Sequence, residues 1–118
     1  MTVSHENTCH YCMAAHSTGL ASMPNAPEGL LAALRAGDPI DDPKLYALAS
    51  LVREIVREDG WPSAERLEAF FASGYTQQHL LDVLVGVAQK TISNYVNHLS
   101  ETVVDDAFAA QAWSGQSS

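Results

Sequence analysis

The sequence predicts an all-α fold, a compact bundle of orthogonal and antiparallel helices, on three observations. Apolar residues recur at three- and four-residue spacing, the segments that carry them end in capping residues or glycine, and no alternating β-branched run is bounded by hairpin turns. With 118 residues, of which 47% are hydrophobic and 17% charged, the chain has the size and balance of one globular domain. We assign that domain to residues 1–118, with a polar tail at 114–118.

The clearest helix lies in DDPKLYALASLVREIVREDG. Asp42 is a suitable N-cap, Pro43 suits the first helical position, and Gly60 is a stop signal. The apolar residues at helical spacing are Leu45, Leu48, Ala49, Val52, Ile55 and Val56. Shorter helices are predicted in APEGLLAALRA, ending at Gly37, and in DDAFAAQAW.

Two more predicted helices follow the one that Asp42 caps. SAERLEAFFAS predicts a short helix that buries Leu67, Phe70 and Phe71 and ends at Gly74. Thr76 can cap a long helix from about Gln77 to Ser100. Its broad apolar stripe comprises Leu80, Leu81, Leu84, Val85, Ala88, Ile92, Val96 and Leu99, and Val83, Val87 and Tyr95 lie off it. A helix that is apolar nearly all round must be covered on both faces, which predicts a subunit interface.

The charge balance excludes some classes of partner. Fourteen acidic residues against six basic ones give a formal charge of −8, so a polyanion such as DNA or RNA would be repelled. No apolar run approaches the roughly 20 residues that span a bilayer, and the start MTVSHENTCH lacks the pattern of a signal peptide. We therefore expect a cytoplasmic protein with no nucleic-acid or membrane partner.

The stretch CHYCMAAHS contains both cysteines of the chain. A helix that starts near Cys9 would place Cys9, Cys12 and His16 at i, i+3 and i+7, on one face. A helix N-terminus favours the thiolate, and His16 can accept a thiol proton and return it to a leaving oxygen. A second thiol can trap a sulfenic acid as a disulfide, so these residues suit redox chemistry at a thiol pair.

Two other interpretations of the same residues stay open. Cys9, Cys12 and His16 could bind a metal ion, with His5 or His10 as the fourth ligand, although structural zinc sites usually join two separate ligand pairs and no second pair exists here. The cysteines could also be inert, since a buried free Cys often behaves as a small hydrophobe.

CHYCMAAHS resembles the core motif of the carboxymuconolactone decarboxylase and alkylhydroperoxidase D superfamily, whose redox members carry C-x-x-C-x-x-x-H at a helix start. The order of the later segments is similar as well, from about His5 to Phe108. The resemblance implies an alkylhydroperoxidase D-like helical fold and assembly into dimers, trimers or hexamers. It also implies reduction of hydroperoxides by a disulfide cycle that a thiol reductant restores, with no cofactor.

The resemblance also implies roles for single residues. One of Cys9 and Cys12 attacks the peroxide, the other resolves the sulfenic acid, and His16 relays the proton; Cys12 is favoured as the thiol coupled to His16, because i and i+4 are adjacent on a helix. The family places a glutamate about a dozen residues before the first cysteine. Only eight residues precede Cys9 in this sequence, so we expect that glutamate and the family's N-terminal helices to be missing.

Four residues near the motif are auxiliary candidates. Glu6 is the nearest carboxylate and His5 the nearest extra base, and neither matches the family by position. His10 and Tyr11 stand between the cysteines, with Tyr11 where alkylhydroperoxidase D has a histidine. The alternative function is a non-catalytic oligomeric module whose Cys/His cluster binds a metal ion or senses oxidants.

Polar residues of the long helix have a structural interpretation. We expect Asn94 and Asn97 to satisfy internal hydrogen bonds, and His79 and His98 to lie at or near the surface. Trp61 and Trp113 are expected to be packing or interface residues.

Overall fold

The computed structural model describes residues 1–115, which form six α-helices and one 3₁₀ helix and contain no β-strand. The all-α prediction is therefore confirmed for this part of the chain. Residues 116–118 of the predicted polar tail lie outside the described residues. The elements are α1 (Thr2–Glu6), α2 (His10–Ala21), α3 (Leu30–Ala36), α4 (Pro43–Arg57), α5 (Ala64–Ala72), α6 (Gln77–Leu99) and the 3₁₀ helix (Asp106–Gln111).

Local capping signals set the starts of α4, α5 and α6. Asp42 and Ser63 each accept a hydrogen bond from the backbone N–H three residues on, at 2.9 and 3.3 Å. At the start of α6, Thr76 Oγ1 accepts from the His79 N–H at 3.3 Å, and His79 Nδ1 accepts from the Thr76 N–H at 2.9 Å. This is a capping box with His in place of the usual Glu, and it satisfies two backbone donors that the helix itself cannot pair.

The hydrophobic core lies between α4, α5 and α6. Leu51, Ile55 and Phe70 are its buried centre. The Tyr75 ring stacks on Phe70 with 4.4 Å between ring centroids, which closes the core beyond the end of α5. The partly buried apolar residues packed around this centre are Leu48, Leu67, Phe71, Tyr75, Leu80, Val83 and Val87.

The long helix turns a different face inward from the one its apolar stripe suggests. Leu80, Val83 and Val87 pack on the core, at i, i+3 and i+7. Most of the predicted stripe points outward, with exposed fractions from 44% for Leu84 to 87% for Leu99. Periodicity could not choose between the two faces, because the helix is apolar on both. We call the exposed residues the outer stripe: Leu81, Leu84, Val85, Ile92, Tyr95, Val96 and Leu99.

The short helix α1 was not predicted, yet it lies at the centre of the fold. It packs against α2, α3, α4 and α6. Val3, Ser4 and His5 are buried there. Five residues are too few to show a helical period, so the sequence carried no signal for this element.

The turn between α1 and α2 brings Cys9 to a helix start. Thr8 has a left-handed backbone with φ of 53°, which reverses the chain after α1. The Cys9 N–H then donates to the Ser4 carbonyl at 2.9 Å, and the Cys9 carbonyl accepts from the Met13 N–H at 2.9 Å. Cys9 is therefore the N-cap residue of α2, and Cys12 lies in the first turn.

The 3₁₀ helix packs along α2 and covers it from outside. It replaces the last short α-helix that the sequence predicts. In residues 1–115 we find no helix that combines the length and the apolar character needed to cross a membrane.

Candidate thiol site

The two thiols lie on α2 where this helix faces α6. Cys9 and Cys12 are free and buried, with 0% and 3% of their surface exposed. The Cys9 thiol points at the backbone carbonyl of Asn94, at 4.0 Å. The Cys12 sulfur accepts a hydrogen bond from Asn97 Nδ2 at 3.2 Å, and Ser93 Oγ lies 3.9 Å away. Polar groups of α6 thus surround the Cys12 sulfur.

These neighbours shift the two pKa values in opposite directions. Burial alone would raise the pKa of Cys12, but hydrogen bonds to its sulfur outweigh burial and lower that pKa; they come from Cys9, Asn94, Asn97 and Ser93. Burial raises the pKa of Cys9 to about 11, and the hydrogen bond with Cys12 adds to this effect. Cys12 is therefore the thiol that ionises first, while Cys9 keeps its proton.

Asn94 fastens the first turn of the chain to α6. Its amide is fully buried. Asn94 Nδ2 donates to Ser4 Oγ at 3.1 Å, and Asn94 Oδ1 accepts from Asn7 Nδ2 at 3.1 Å. This side chain satisfies the internal hydrogen bonds expected of it and fixes α1 and the following turn against the thiol pair.

His16 faces α6 as well, but its partner is a lysine. Its Nε2 lies 2.7 Å from the Lys90 Nζ, and the residue remains exposed to solvent. Partial desolvation of the imidazole and, next, the Lys90 charge lower the pKa of His16 to about 4. The ring is therefore neutral at pH 7, and within the described residues it makes no hydrogen bond to either thiol.

Glu6 does not serve as a carboxylate at the thiols. Its side chain, 7% exposed, accepts from Arg53 Nε at 2.9 Å and from Arg57 Nε at 2.6 Å. Both arginines belong to α4, so Glu6 joins α1 to α4. The carboxylate nearest to the cysteine motif in the sequence is therefore engaged in ion pairs between two helices.

His5 is buried beside Glu6 and has an unusual environment. In the part of the chain that the structure describes, neither ring nitrogen has a hydrogen-bond partner. The Glu6 Oε1 atom is 3.6 Å from the His5 Nδ1, which is too long for a hydrogen bond. The ring packs on Trp113 with 5.3 Å between centroids.

His10 and Tyr11 hold the C-terminal segment on α2. The Tyr11 hydroxyl donates to Asp105 Oδ2 at 2.7 Å, and its ring meets Phe108 edge to face at 6.0 Å. His10 is exposed and contacts the Trp113 ring at 5.9 Å. Both residues make structural contacts, and neither is placed as a partner of a thiol.

The alternative metal site is not assembled in this arrangement. Within residues 1–115 no three His, Cys, Asp or Glu side chains lie close enough together to hold a metal ion. The thiols lie side by side, but the His16 imidazole is turned to Lys90.

Sequence reasoning did not assign the α6 side of the site. Lys90, Ser93, Asn94 and Asn97 recur at helical spacing on one face of α6, and each contacts the thiols or His16. A line of polar side chains of this kind is a usable signal for a partner helix with polar side chains. That the partner is α2 follows only from the folded chain.

Comparisons with known proteins add no relative. A scan against models of protein families finds no match for this chain, and a search of curated proteins finds no significant similarity. The chemistry of the site therefore rests on its geometry.

Proposed function

We propose that this chain is a thiol-dependent, peroxidase-related oxidoreductase that reduces hydroperoxides through a Cys9–Cys12 dithiol/disulfide cycle, with His16 as proton relay. The hydrogen bond from Asn97 to the Cys12 sulfur, with the Cys9 thiol alongside, carries the proposal. A sulfur that receives hydrogen bonds is favoured as thiolate, which is the nucleophilic form.

The first step is attack on the peroxide. The Cys12 thiolate forms a bond to the terminal oxygen of the hydroperoxide ROOH while the O–O bond breaks. The products are Cys12 sulfenic acid and an alkoxide, which takes up a proton and leaves as the alcohol. Cys12 is the attacking residue because its pKa is lowered whereas that of Cys9 is raised.

The second step closes the disulfide. The Cys9 sulfur attacks the Cys12 sulfur, the S–O bond breaks, and the hydroxyl group leaves as water with the proton of the Cys9 thiol. An external dithiol then reduces the disulfide by exchange and is itself oxidised. One hydroperoxide and one dithiol are consumed in each turn of the cycle.

His16 is proposed as the relay for these protons. It is neutral at pH 7, because its pKa is about 4, and neutral imidazole is the form that accepts a proton. The Lys90 ammonium donates to Nε2, which places the ring proton on Nδ1. In this geometry the proton passes between the thiols and His16 through solvent, and not by a direct hydrogen bond.

We also propose the alkylhydroperoxidase D-like fold and a homo-oligomer. The outer stripe of α6 supports the oligomer, since exposed apolar patches of this kind mark interaction surfaces. Asp82 is the one carboxylate of α6, so a second copy that packs on the stripe brings few like charges together, although each chain has a charge of −8. An isologous contact between two α6 helices fits this surface.

The experiment is turnover of tert-butyl hydroperoxide with dithiothreitol as reductant. We expect Cys9→Ser and Cys12→Ser each to abolish turnover, and His16→Asn to slow it about a hundredfold. Cys9→Ser should still consume one equivalent of peroxide and give a dimedone adduct at Cys12, whereas Cys12→Ser should not. Reduced protein that consumes no peroxide above the free-thiol background would refute the proposal.

The alternative function is a module that senses oxidants or binds a metal without turnover. The burial of both thiols favours it, since a peroxide can reach Cys12 only after a covering group moves. A sensor would consume one equivalent of peroxide and would not be restored by any dithiol tested. Elemental analysis of protein purified without added metal tests the metal-binding function. A content of about one zinc per chain that is lost in Cys9→Ser would support metal binding.

A further inference from the structure

An apolar cleft of about 730 Å³ lies between α1, α2, α3, α4 and α6, and neither thiol lines it. Its volume falls within the range of about 300–1,000 Å³ that small-molecule sites occupy. Residues of its wall include Leu34 of α3, Leu45 and Val52 of α4, and Val83 of α6.

Two glycines inside helices widen this cleft. Gly19 of α2 and Gly86 of α6 both line it, and a Cβ added at either would meet no atom of another part of the fold within 4 Å. Neither has a positive φ, so the backbone does not require glycine at these positions. Glycine in a helix interior lowers stability relative to alanine. What the two glycines provide is open volume in the cleft.

The polar end of the cleft consists of His16, Lys90 and Met1. Burial and, next, the Lys90 charge lower the pKa of the Met1 N-terminal ammonium, so this end of the cleft brings two cationic groups together. Lys90 is half-buried, and its hydrogen bond goes to the neutral His16 imidazole. No carboxylate within residues 1–115 pairs with it. The four arginines and the other lysine have partners of their own. Arg53 and Arg57 pair with Glu6, and Arg66 pairs with Glu54. Arg35 donates to Ser17 and to two backbone carbonyls, and Lys44 lies over the Tyr75 ring.

We propose that this cleft binds a long-chain monocarboxylate, with the hydrocarbon chain along the apolar wall and the carboxylate on the Lys90 ammonium. An ammonium has three donors, and only one is used by His16, so two remain for the ligand. The Lys90 ammonium, with the N-terminal ammonium of Met1 nearby, attracts a carboxylate at the end of an apolar wall that suits a long hydrocarbon chain. Binding of this kind needs no thiol chemistry, so it goes beyond the proposed peroxidase activity and does not depend on it.

The test is calorimetric titration with saturated fatty acids from octanoate to palmitate, each below its micelle concentration. We expect saturable binding at one site per chain, with Kd tightening up to about fourfold for each added methylene until the wall is covered. Cys9→Ser/Cys12→Ser protein should bind with the same Kd, so a failure of the peroxidase proposal and a failure of this one give different results.

Three variants locate the ligand. Gly86→Leu should weaken palmitate binding about tenfold or more, because the side chain would occupy the cleft. Lys90→Met should weaken palmitate about tenfold and leave hexadecanol, which has the same chain without the charge, unchanged. Gln89→Leu is the matched control on the same helix, since Gln89 does not line the cleft and its replacement should change neither Kd.

Several results would overturn the proposal. Absence of saturable fatty-acid binding is one, and an equal loss of palmitate and hexadecanol affinity in Lys90→Met is another. If Gly86→Leu changes the sedimentation coefficient of the protein and leaves fatty-acid affinity intact, the cleft is an interface between copies of the chain and not a ligand site.

Discussion

Single hydrogen bonds decide the chemistry of Cys12. Its sulfur is buried, which by itself disfavours the thiolate, and the donors of α6 reverse that preference. Asn97 provides the shortest of these contacts, at 3.2 Å. The ionisation of Cys12 thus depends on amide groups that do not themselves ionise.

Asn97→Leu tests this dependence. Loss of the amide donor should raise the pKa of Cys12, because a hydrogen bond to a charged group contributes about 1.5 kcal/mol or more. Alkylation of Cys12 by iodoacetamide at pH 7 should then slow about tenfold, as followed by mass spectrometry. Gln89→Leu is the control and should leave the rate unchanged; an unchanged rate in Asn97→Leu would contradict the assigned role.

His5 offers a test of stability at the same scale. A buried imidazole without hydrogen bonds carries an unsatisfied N–H, which costs about 1–3 kcal/mol. His5→Phe keeps the ring contact with Trp113 and should raise the free energy of unfolding by about 1 kcal/mol, measured by urea denaturation, without loss of peroxide turnover. His10→Phe, at an exposed position, should change stability by less. A loss of stability in His5→Phe would show that the ring nitrogens have a partner.

The contact between α2 and α6 contains both residues that the sequence predicted for the site and residues that it did not. Cys9, Cys12 and His16 are neighbours on one helix, so their spacing predicted their common face. Their partners on α6 are more than 70 residues away in the chain, and no local pattern specifies such a contact. The ends of α4, α5 and α6 were predictable for the same reason, since each capping signal lies within three residues of the helix start.

The partial burial of His16 between these helices and, next, its contact with Lys90 make stability depend on pH. The folded-state pKa of His16 is about 4, below its ordinary value of 6.5, so protons bind the unfolded chain more readily. Stability that is fully present above pH 6.5 should therefore fall as the pH falls from 6.5 towards 4. Urea denaturation at a series of pH values measures this dependence.

Lys90→Met measures how much of the lowering of the His16 pKa is due to the Lys90 charge. Removal of the ammonium should raise the pKa of His16 part of the way to its ordinary value and make the loss of stability below pH 6.5 shallower, because burial of the ring remains. An NMR titration of the His16 ring protons reports the pKa directly. Lys44→Met removes the other lysine, on α4, and should leave the His16 titration as in the original chain.

At the scale of the whole molecule, some of the large apolar side chains are buried in the core and others are exposed along one helix. Leu51, Ile55 and Phe70 are buried in the core, while the outer stripe of α6 exposes a continuous apolar surface along a helix of 23 residues. The sequence predicted that both faces of this helix need cover, but it could not indicate which one the chain covers itself.

Ile92→Glu tests whether a second copy covers the outer stripe. A carboxylate in the middle of an apolar contact is costly to bury, so the variant should dissociate the proposed oligomer. Sedimentation velocity of the original chain and the variant should show a change to the monomer, with helicity by circular dichroism retained. Ala69→Glu adds the same charge on the exposed side of α5 and should leave assembly intact. A monomeric original chain would refute the oligomer.

The amide of Asn97 also bears on the reduction potential of the thiol pair. A thiolate at Cys12 accepts this hydrogen bond strongly, whereas a disulfide sulfur accepts it weakly and would leave a partly buried donor without an adequate partner. The dithiol form is stabilised relative to the disulfide, so the oxidised protein should be a good electron acceptor, easily returned to the dithiol by small thiols. Equilibration with glutathione measures the reduction potential of the pair. The potential of the original chain should lie above that of Asn97→Leu, by about 30 mV for each tenfold difference in the equilibrium constant of the thiol–disulfide exchange.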